Sequence, residues 1–305
     1  MLVNNKYIGH FVMVAFYIII VSAYGFGFEH SLYLFAEGPG YTYSDMNGYG
    51  HYVSSIVWIR IYWTAFCALL ALIANLFWVR GQEANVKIRL RHFMQRFTPG
   101  NRLAAAVFLA TFIASGGYIY YNTNVLNRFQ TGKDLKADKA EYEKRYSRFS
   151  GIAQPRITDV KTEVDIFARE RRIQISGTYF LQNRTETPID SVHILLHHET
   201  VAHDLLISKP GAIVLEDAEH GYYIYELEEP LMPGDTAALT FQLEYRERGF
   251  KNNDTNVDIV HNGTFINNHE YFPRIGYNRE LELVEDHERK QFGLDPRQRM
   301  AAVDD

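Results

Sequence analysis

Residues 80–102 read RGQEANVKIRLRHFMQRFTPGNR, with Arg80, Lys87, Arg89, Arg91, Arg96 and Arg102 set against a single acid, Glu83. Apolar runs flank this stretch on both sides, so its charge decides which way the rest of the chain faces. A helix needs about 20 mostly apolar residues to cross ~30 Å of hydrocarbon. Three segments meet that length, at about 7–28, about 52–79 and about 103–121. The loop between the first two, residues 29–51, contains neither Lys nor Arg. Cationic side chains resist translocation, so residues 80–102 are expected in the cytoplasm and residues 29–51 outside. The third segment crosses back, which puts everything beyond about Asn122 outside as well.

The first segment does not read as a secretory leader. Only Lys6 precedes its long apolar run, and no small-residue cleavage site follows it. The stretch KIRLRHFMQRF also reads as a basic amphipathic helix lying on anionic headgroups. Arg60 is a candidate intramembrane charge, about two turns inside the outer end of the second segment. Such a charge snorkels to the interface or pairs, here with an external acid such as Asp45 or with a neighbouring helix. The net charge of −5 and the mean hydropathy of −0.22 describe no basic face, so a nucleic-acid partner is not expected. The only cysteine, Cys67, lies in an apolar run, which excludes a disulfide framework and a cysteine zinc site.

Beyond the third segment, GKDLKADKAEYEKRYSRF (132–149) carries charges of both signs and no proline, and Glu141 and Arg145 stand at i, i+4. It reads as a solvated helical stalk within residues 125–153. From residue 154 the period changes to two. VKTEVDIFA, RRIQISGTYFLQN, SVHILLHH, LLISKPGAIVLE, YYIYELEEPL and TAALTFQLEYRER read as antiparallel strands, joined by the turn-rich NRTETPID, DAEHG and MPGD. The expected fold is therefore a transmembrane helical region over 1–124 followed by an all-β extracytoplasmic sandwich or saddle over 154–280. Residues 281–305 read as a short helix with a turn at Gly293 and Pro296.

The chain offers few constellations that could carry chemistry. His197-His198-Glu199-Thr200-Val201-Ala202-His203 resembles the zinc signature H-E-x-x-H, but His203 comes one position late and Ala202 fills the required place. In a strand, residues five apart point to opposite faces, so surface histidines rather than a zinc site are expected there. No Ser/His/Asp arrangement, nucleophile elbow or phosphate-binding glycine loop is present. The least regular segment, residues 261–277, is rich in Asn, Gly and aromatics, as functional loops often are.

One ordered series of motifs carries a resemblance. VNNKYIGHF, YSDMNGYGHY, IVWIRIYW with its WVRG exit, NTNVLN, EYEKRY before QPRITDV, NGTFINNHEYFPRIGYNRELEL and ERKQFGLDPRQRM together span essentially the whole chain. They resemble a bacterial fusion of an ABC-2-type transporter permease with an aminopeptidase N-like zinc metallopeptidase. The resemblance implies an inner-membrane, multi-pass protein whose β-region corresponds to the N-terminal saddle domain of the peptidase, facing the periplasm. It implies the lipid bilayer, further permease helices, a catalytic metallopeptidase domain and a cytoplasmic ABC ATPase as partners. Zinc is expected only in that downstream catalytic domain, so this chain is expected to be a fragment or truncated member with no catalytic residue and no cofactor of its own. The saddle position of YFPRIGY implies that Tyr271, Phe272, Pro273, Arg274, Gly276 and Tyr277 contribute to the interface with the catalytic domain. A non-enzymatic membrane-anchored binding module and a permease component of a transporter are the alternative expectations.

Overall fold

Among the described residues, three helices are long and apolar enough to cross a membrane, and two antiparallel sheets of four strands each follow them. The computed structural model describes residues 6–78, 86–253, 255–261 and 263–297. Arg80 and Glu83, which contribute to the charge of the basic loop, lie outside those residues. The chain divides into two units, one formed by residues 1–131 and 248–255, the other by 132–247 and 256–305.

In the first unit the long helices are α1 (Lys6–Ala23), α2 (Tyr52–Leu76) and, after the short basic α3 (Val86–Arg96), α4 (Pro99–Tyr120). Helix α4 starts where the sequence chemistry says it should: Thr98 caps it through the Asn101 N–H, and Pro99 occupies the first turn, where its missing N–H costs nothing. Helices α2 and α4 pack through aromatic rings. Tyr62 stacks on Phe112 at 4.5 Å and Trp58 lies 4.4 Å from Tyr118. Gly116 permits this approach, because a Cβ there would come within 3.0 Å of the Tyr62 ring. No residue of the α1 apolar window is buried.

Beyond Tyr120 the helix widens into a π-turn over Tyr121–Leu126. Widening displaces backbone carbonyls from their α-helical donors, and side chains supply replacements: Asn122 Nδ2 donates to the Tyr118 carbonyl, Thr123 Oγ1 to Ile119 and Asn127 Nδ2 to Asn122, each at 2.8 Å. The loop after α1 closes over this turn. His30 Nδ1 accepts the Leu32 N–H, so Nε2 carries the proton and donates to Thr123 Oγ1 at 2.9 Å and to Asn124 Oδ1 at 3.1 Å. Residues 248–255 join the same knot. Asn252 accepts the Ser31 N–H and donates to the Glu29 carbonyl, while Phe250 packs among Ile59, Trp63 and Ile119.

The second unit opens with α5 (Gly132–Tyr146) and then builds one sheet in the order β1-β2-β7-β4 and another in the order β5-β6-β3-β8. The strands are β1 (Arg156–Phe167), β2 (Arg172–Gln182), β3 (Ile189–Leu195), β4 (Thr200–Ile207), β5 (Gly211–Asp217), β6 (Tyr222–Leu231), β7 (Thr236–Arg246) and β8 (Arg274–Ile275). One core draws on both sheets: Ile173, Ile175, Leu181, Leu239 and Phe241 come from the first, Val192, Ile194, Tyr223 and Tyr225 from the second. The stretch 205–216, expected as one strand, is two. Ser208-Lys-Pro210 turns the chain, because proline cannot donate to a ladder, and the chain passes from pairing with β7 to pairing with β6.

The charge run over 132–149, expected as a solvated stalk, forms α5, and Ala140, Tyr142, Glu143 and Tyr146 on it are buried. These side chains cover the second face of β6. Tyr222 and Ile224 meet α5 while Tyr223 and Tyr225 face the core, so both faces of the strand are buried and its sequence reads YYIY rather than alternating. Glu143 binds Arg289 of α7 (Asp286–Gln291), which follows the single turn α6 (Asn268–Tyr271), through two hydrogen bonds of 2.9 and 2.6 Å. Alongside, Asp217 takes the Tyr146 hydroxyl and the His220 ring. Burial alone would raise the Asp217 carboxyl, but these hydrogen bonds outweigh it and bring it down to about 2.

His193 sits under this layer, 2% exposed, with Nδ1 2.8 Å from the Tyr222 hydroxyl and Nε2 3.2 Å from Ser191 Oγ. Burial pushes its imidazole down to about 4. The unfolded chain, with an ordinary histidine near 6.5, binds the extra proton first as pH falls. The stabilisation from keeping His193 neutral is therefore complete above about pH 6.5 and is lost on going down to about pH 4, a change of about 3 kcal/mol. Denaturation curves between pH 7 and pH 4 should show this slope, and His193→Asn should flatten it.

Candidate functional site

His197, His198 and Glu199 follow β3 after Leu196 and form a tight turn, in which the Thr200 N–H returns to the His197 carbonyl at 2.9 Å. The strand setting expected for them from sequence does not hold, since β3 ends at Leu195 and β4 begins at Thr200. The turn gathers what a strand would have spread over two faces. One donor atom from each of the three side chains lies within 4.8 Å of the others. His197 Nδ1 accepts the Glu199 N–H at 3.3 Å, so that ring keeps its proton on Nε2 and presents an unprotonated nitrogen to the turn.

A polar network supports the turn from below. The Tyr245 hydroxyl donates to Glu199 Oε2 at 3.4 Å and accepts from Asn256 Nδ2 at 3.1 Å. Asn256 Nδ2 also donates to the Tyr271 hydroxyl, which donates in turn to Asp258 Oδ2 at 3.0 Å. The Asp258 N–H reaches Asn256 Oδ1 at 2.9 Å and so fixes the amide orientation. Burial raises both phenols, with Glu247 and Glu199 adding to the effect at Tyr245 and Asp258 adding to it at Tyr271. Both therefore stay protonated and act as donors toward carboxylates. The His197 ring lies against them, at 5.8 Å from Tyr245 and 6.2 Å from Tyr271. The Thr200 hydroxyl, next in the chain, is buried with no hydrogen-bond partner among the described residues.

The residues expected at a domain interface are largely taken up inside the second unit. Tyr271 and Phe272 belong to its core, and Pro273 is buried. Arg274 and Ile275 form β8 against β3, with the Arg274 guanidinium paired to Glu280 at 2.9 Å. Gly276, at φ +88°, donates its N–H to the His193 carbonyl at 2.8 Å. Tyr277 stacks on Tyr142 at 5.2 Å and donates to Glu282. The segment closes the sheet edge and then runs under α5, so it sustains no single period, and its irregular sequence follows from that path.

Arg60 is exposed on α2, eight residues after Tyr52 and about 12 Å along the helix axis, with no hydrogen bond or ion pair among the described residues. One turn further in, Trp63 Nε1 donates to the Ser31 carbonyl at 3.1 Å and the Tyr62 hydroxyl to Leu32 at 3.3 Å. Loop backbone is therefore hydrogen-bonded to α2 side chains within one turn of Arg60. Sequence reasoning missed this knot because its members lie up to 223 residues apart in the chain, and missed the Asn256 network because that network ties an irregular segment to β7 and to the 197–199 turn. The one available signal was the cluster of Asn and Thr after the third helix. No protein-family model matches this chain, and no curated protein matches it.

Proposed function

We propose that this chain is the membrane-anchoring and external β-domain portion of a permease–metallopeptidase-like protein, and that it has no catalytic activity by itself. In this reading α1, α2 and α4 cross the bilayer, α3 lies on the cytoplasmic headgroups and the second unit faces outward. Irregular loop backbone bonded to the Tyr62 and Trp63 side chains belongs at the polar edge of a bilayer, so the outer hydrocarbon boundary falls near Trp58–Trp63 and Tyr118–Tyr121. Those aromatics then form an interfacial collar, and Arg60 belongs to the headgroup layer rather than to the bilayer centre.

The observation that carries the accessory role is the flank of β1. Ile157, Val160 and Ile166 pair with Leu181, Tyr179 and Ile173, and so share the core-facing side of the sheet. They are nevertheless 40, 49 and 49% exposed. Apolar residues on a core face that the described residues leave about half exposed support a partner domain lying against them. The alternative of a self-contained binding module has one observation in its favour, the internal use of residues 271–277. Purified chain in detergent, assayed with aminoacyl-p-nitroanilides, is expected to show no hydrolysis. Chelator-sensitive hydrolysis that co-purifies with the chain would contradict the proposal.

A further inference from the structure

We infer that the His197–His198–Glu199 turn binds one divalent transition-metal ion of the zinc class. Two imidazoles and one carboxylate form the donor set that such ions take, with bonds of about 2.0–2.2 Å and donor separations of roughly 3.3 Å around a tetrahedral centre. The three donors already lie within 4.8 Å of one another, and all three sit on one turn. Closing the remaining distance therefore takes side-chain rotation and no rearrangement of the sheets. The His197 ring presents the unprotonated Nδ1 that now accepts the Glu199 N–H, and a metal ion replaces that N–H as its partner.

Beneath the turn stands the support that metal ligands ordinarily have. A ligating carboxylate is oriented by a second hydrogen bond, and the Tyr245 hydroxyl supplies one to Glu199. Tyr245 is itself fixed by Asn256 and is 2% exposed, so the donor cannot swing away. His198 is exposed, which leaves the remaining coordination positions open to water or to a ligand from another molecule. The geometry points to an ion bound at the surface of the β-unit, independent of whether a peptidase domain belongs to the same protein. It differs from the H-E-x-x-H arrangement in using adjacent residues on a turn rather than one face of a helix.

The test uses the full chain, free of affinity tags, stripped with chelator and held in detergent. Titration with Zn²⁺ by calorimetry should show one equivalent bound. Co²⁺ in its place should develop visible d–d absorption of a low-symmetry site. His198→Ala and Glu199→Gln should each weaken Zn²⁺ binding about tenfold or more, Tyr245→Phe should weaken it by a smaller factor, and His10→Ala in the other unit should leave it unchanged. His198 is exposed, so its replacement leaves the fold intact, and an unchanged circular dichroism spectrum verifies this. Absence of a stoichiometric site in the unmodified chain, or equal affinity in the chain and in both His198→Ala and Glu199→Gln, overturns the inference.

Discussion

Glu143→Ala is expected to destabilise the second unit by about 3–5 kcal/mol, because it leaves the Arg289 guanidinium buried without its counter-charge. The two side chains are 9 and 6% exposed, and Arg289 also donates to the Leu283 and Asp295 carbonyls. All three guanidinium nitrogens are thus committed, which is how a buried charge is tolerated. The pair fastens α7 to α5 and so keeps α5 on the outer face of β6. A buried ion pair nevertheless adds little over apolar side chains of similar volume. The double substitution Glu143→Leu with Arg289→Met should therefore recover most of the loss. The three tryptophans, Trp58, Trp63 and Trp78, all lie in the first unit, so their fluorescence would miss the change. Hydrogen exchange or near-ultraviolet dichroism of the tyrosines reports it. A Glu143→Ala variant as stable as the parent would show that α7 contributes nothing to holding α5.

The second large effect falls on the aromatic layer. Tyr222 is fully buried, stacks on Tyr146 at 4.2 Å and holds His193 through its hydroxyl. Tyr222→Ala removes a ring from a layer that Tyr142, Phe149 and Tyr277 complete, and should cost about 3–5 kcal/mol. For a unit of this size that corresponds to a fall of roughly 10 °C in Tm. Tyr222→Phe keeps the ring and deletes only the hydroxyl, so its cost should be about 1–2 kcal/mol. If the two substitutions proved equally costly, the hydrogen bond to His193 rather than the stack would be what fastens α5.

How much of this was legible in the sequence depends on the range of the interaction. The three apolar helices and most strands follow from hydropathy period, which is local. The strand period of 171–183 and 236–248 survives into β2 and β7 because each buries one face only. The stalk misled for the opposite reason. Its surface charges dominate the sequence, yet a few residues, chiefly Tyr142, Glu143 and Tyr146, suffice to seat it on β6. The turn at 197–199 reads as strand because its residue types do not distinguish the two, and the boundary is set by the end of β3 pairing with β6 and β8 at Leu195. The His30 knot joins residues up to 223 apart, with the Asn and Thr cluster after the third helix as its one local sign, and the Asn256 network lies in a segment with no sustained period.

The accessory role proposed for this chain depends on which side of a bilayer each segment occupies. Alkaline phosphatase fused after Asn124 should be active, and the same enzyme fused between residues 86 and 96 should be silent, with a cytosol-dependent reporter giving the reverse pattern. A cytosolic signature after Asn124 would contradict the account, since the β-unit would then share a compartment with the basic loop and could not meet an external partner.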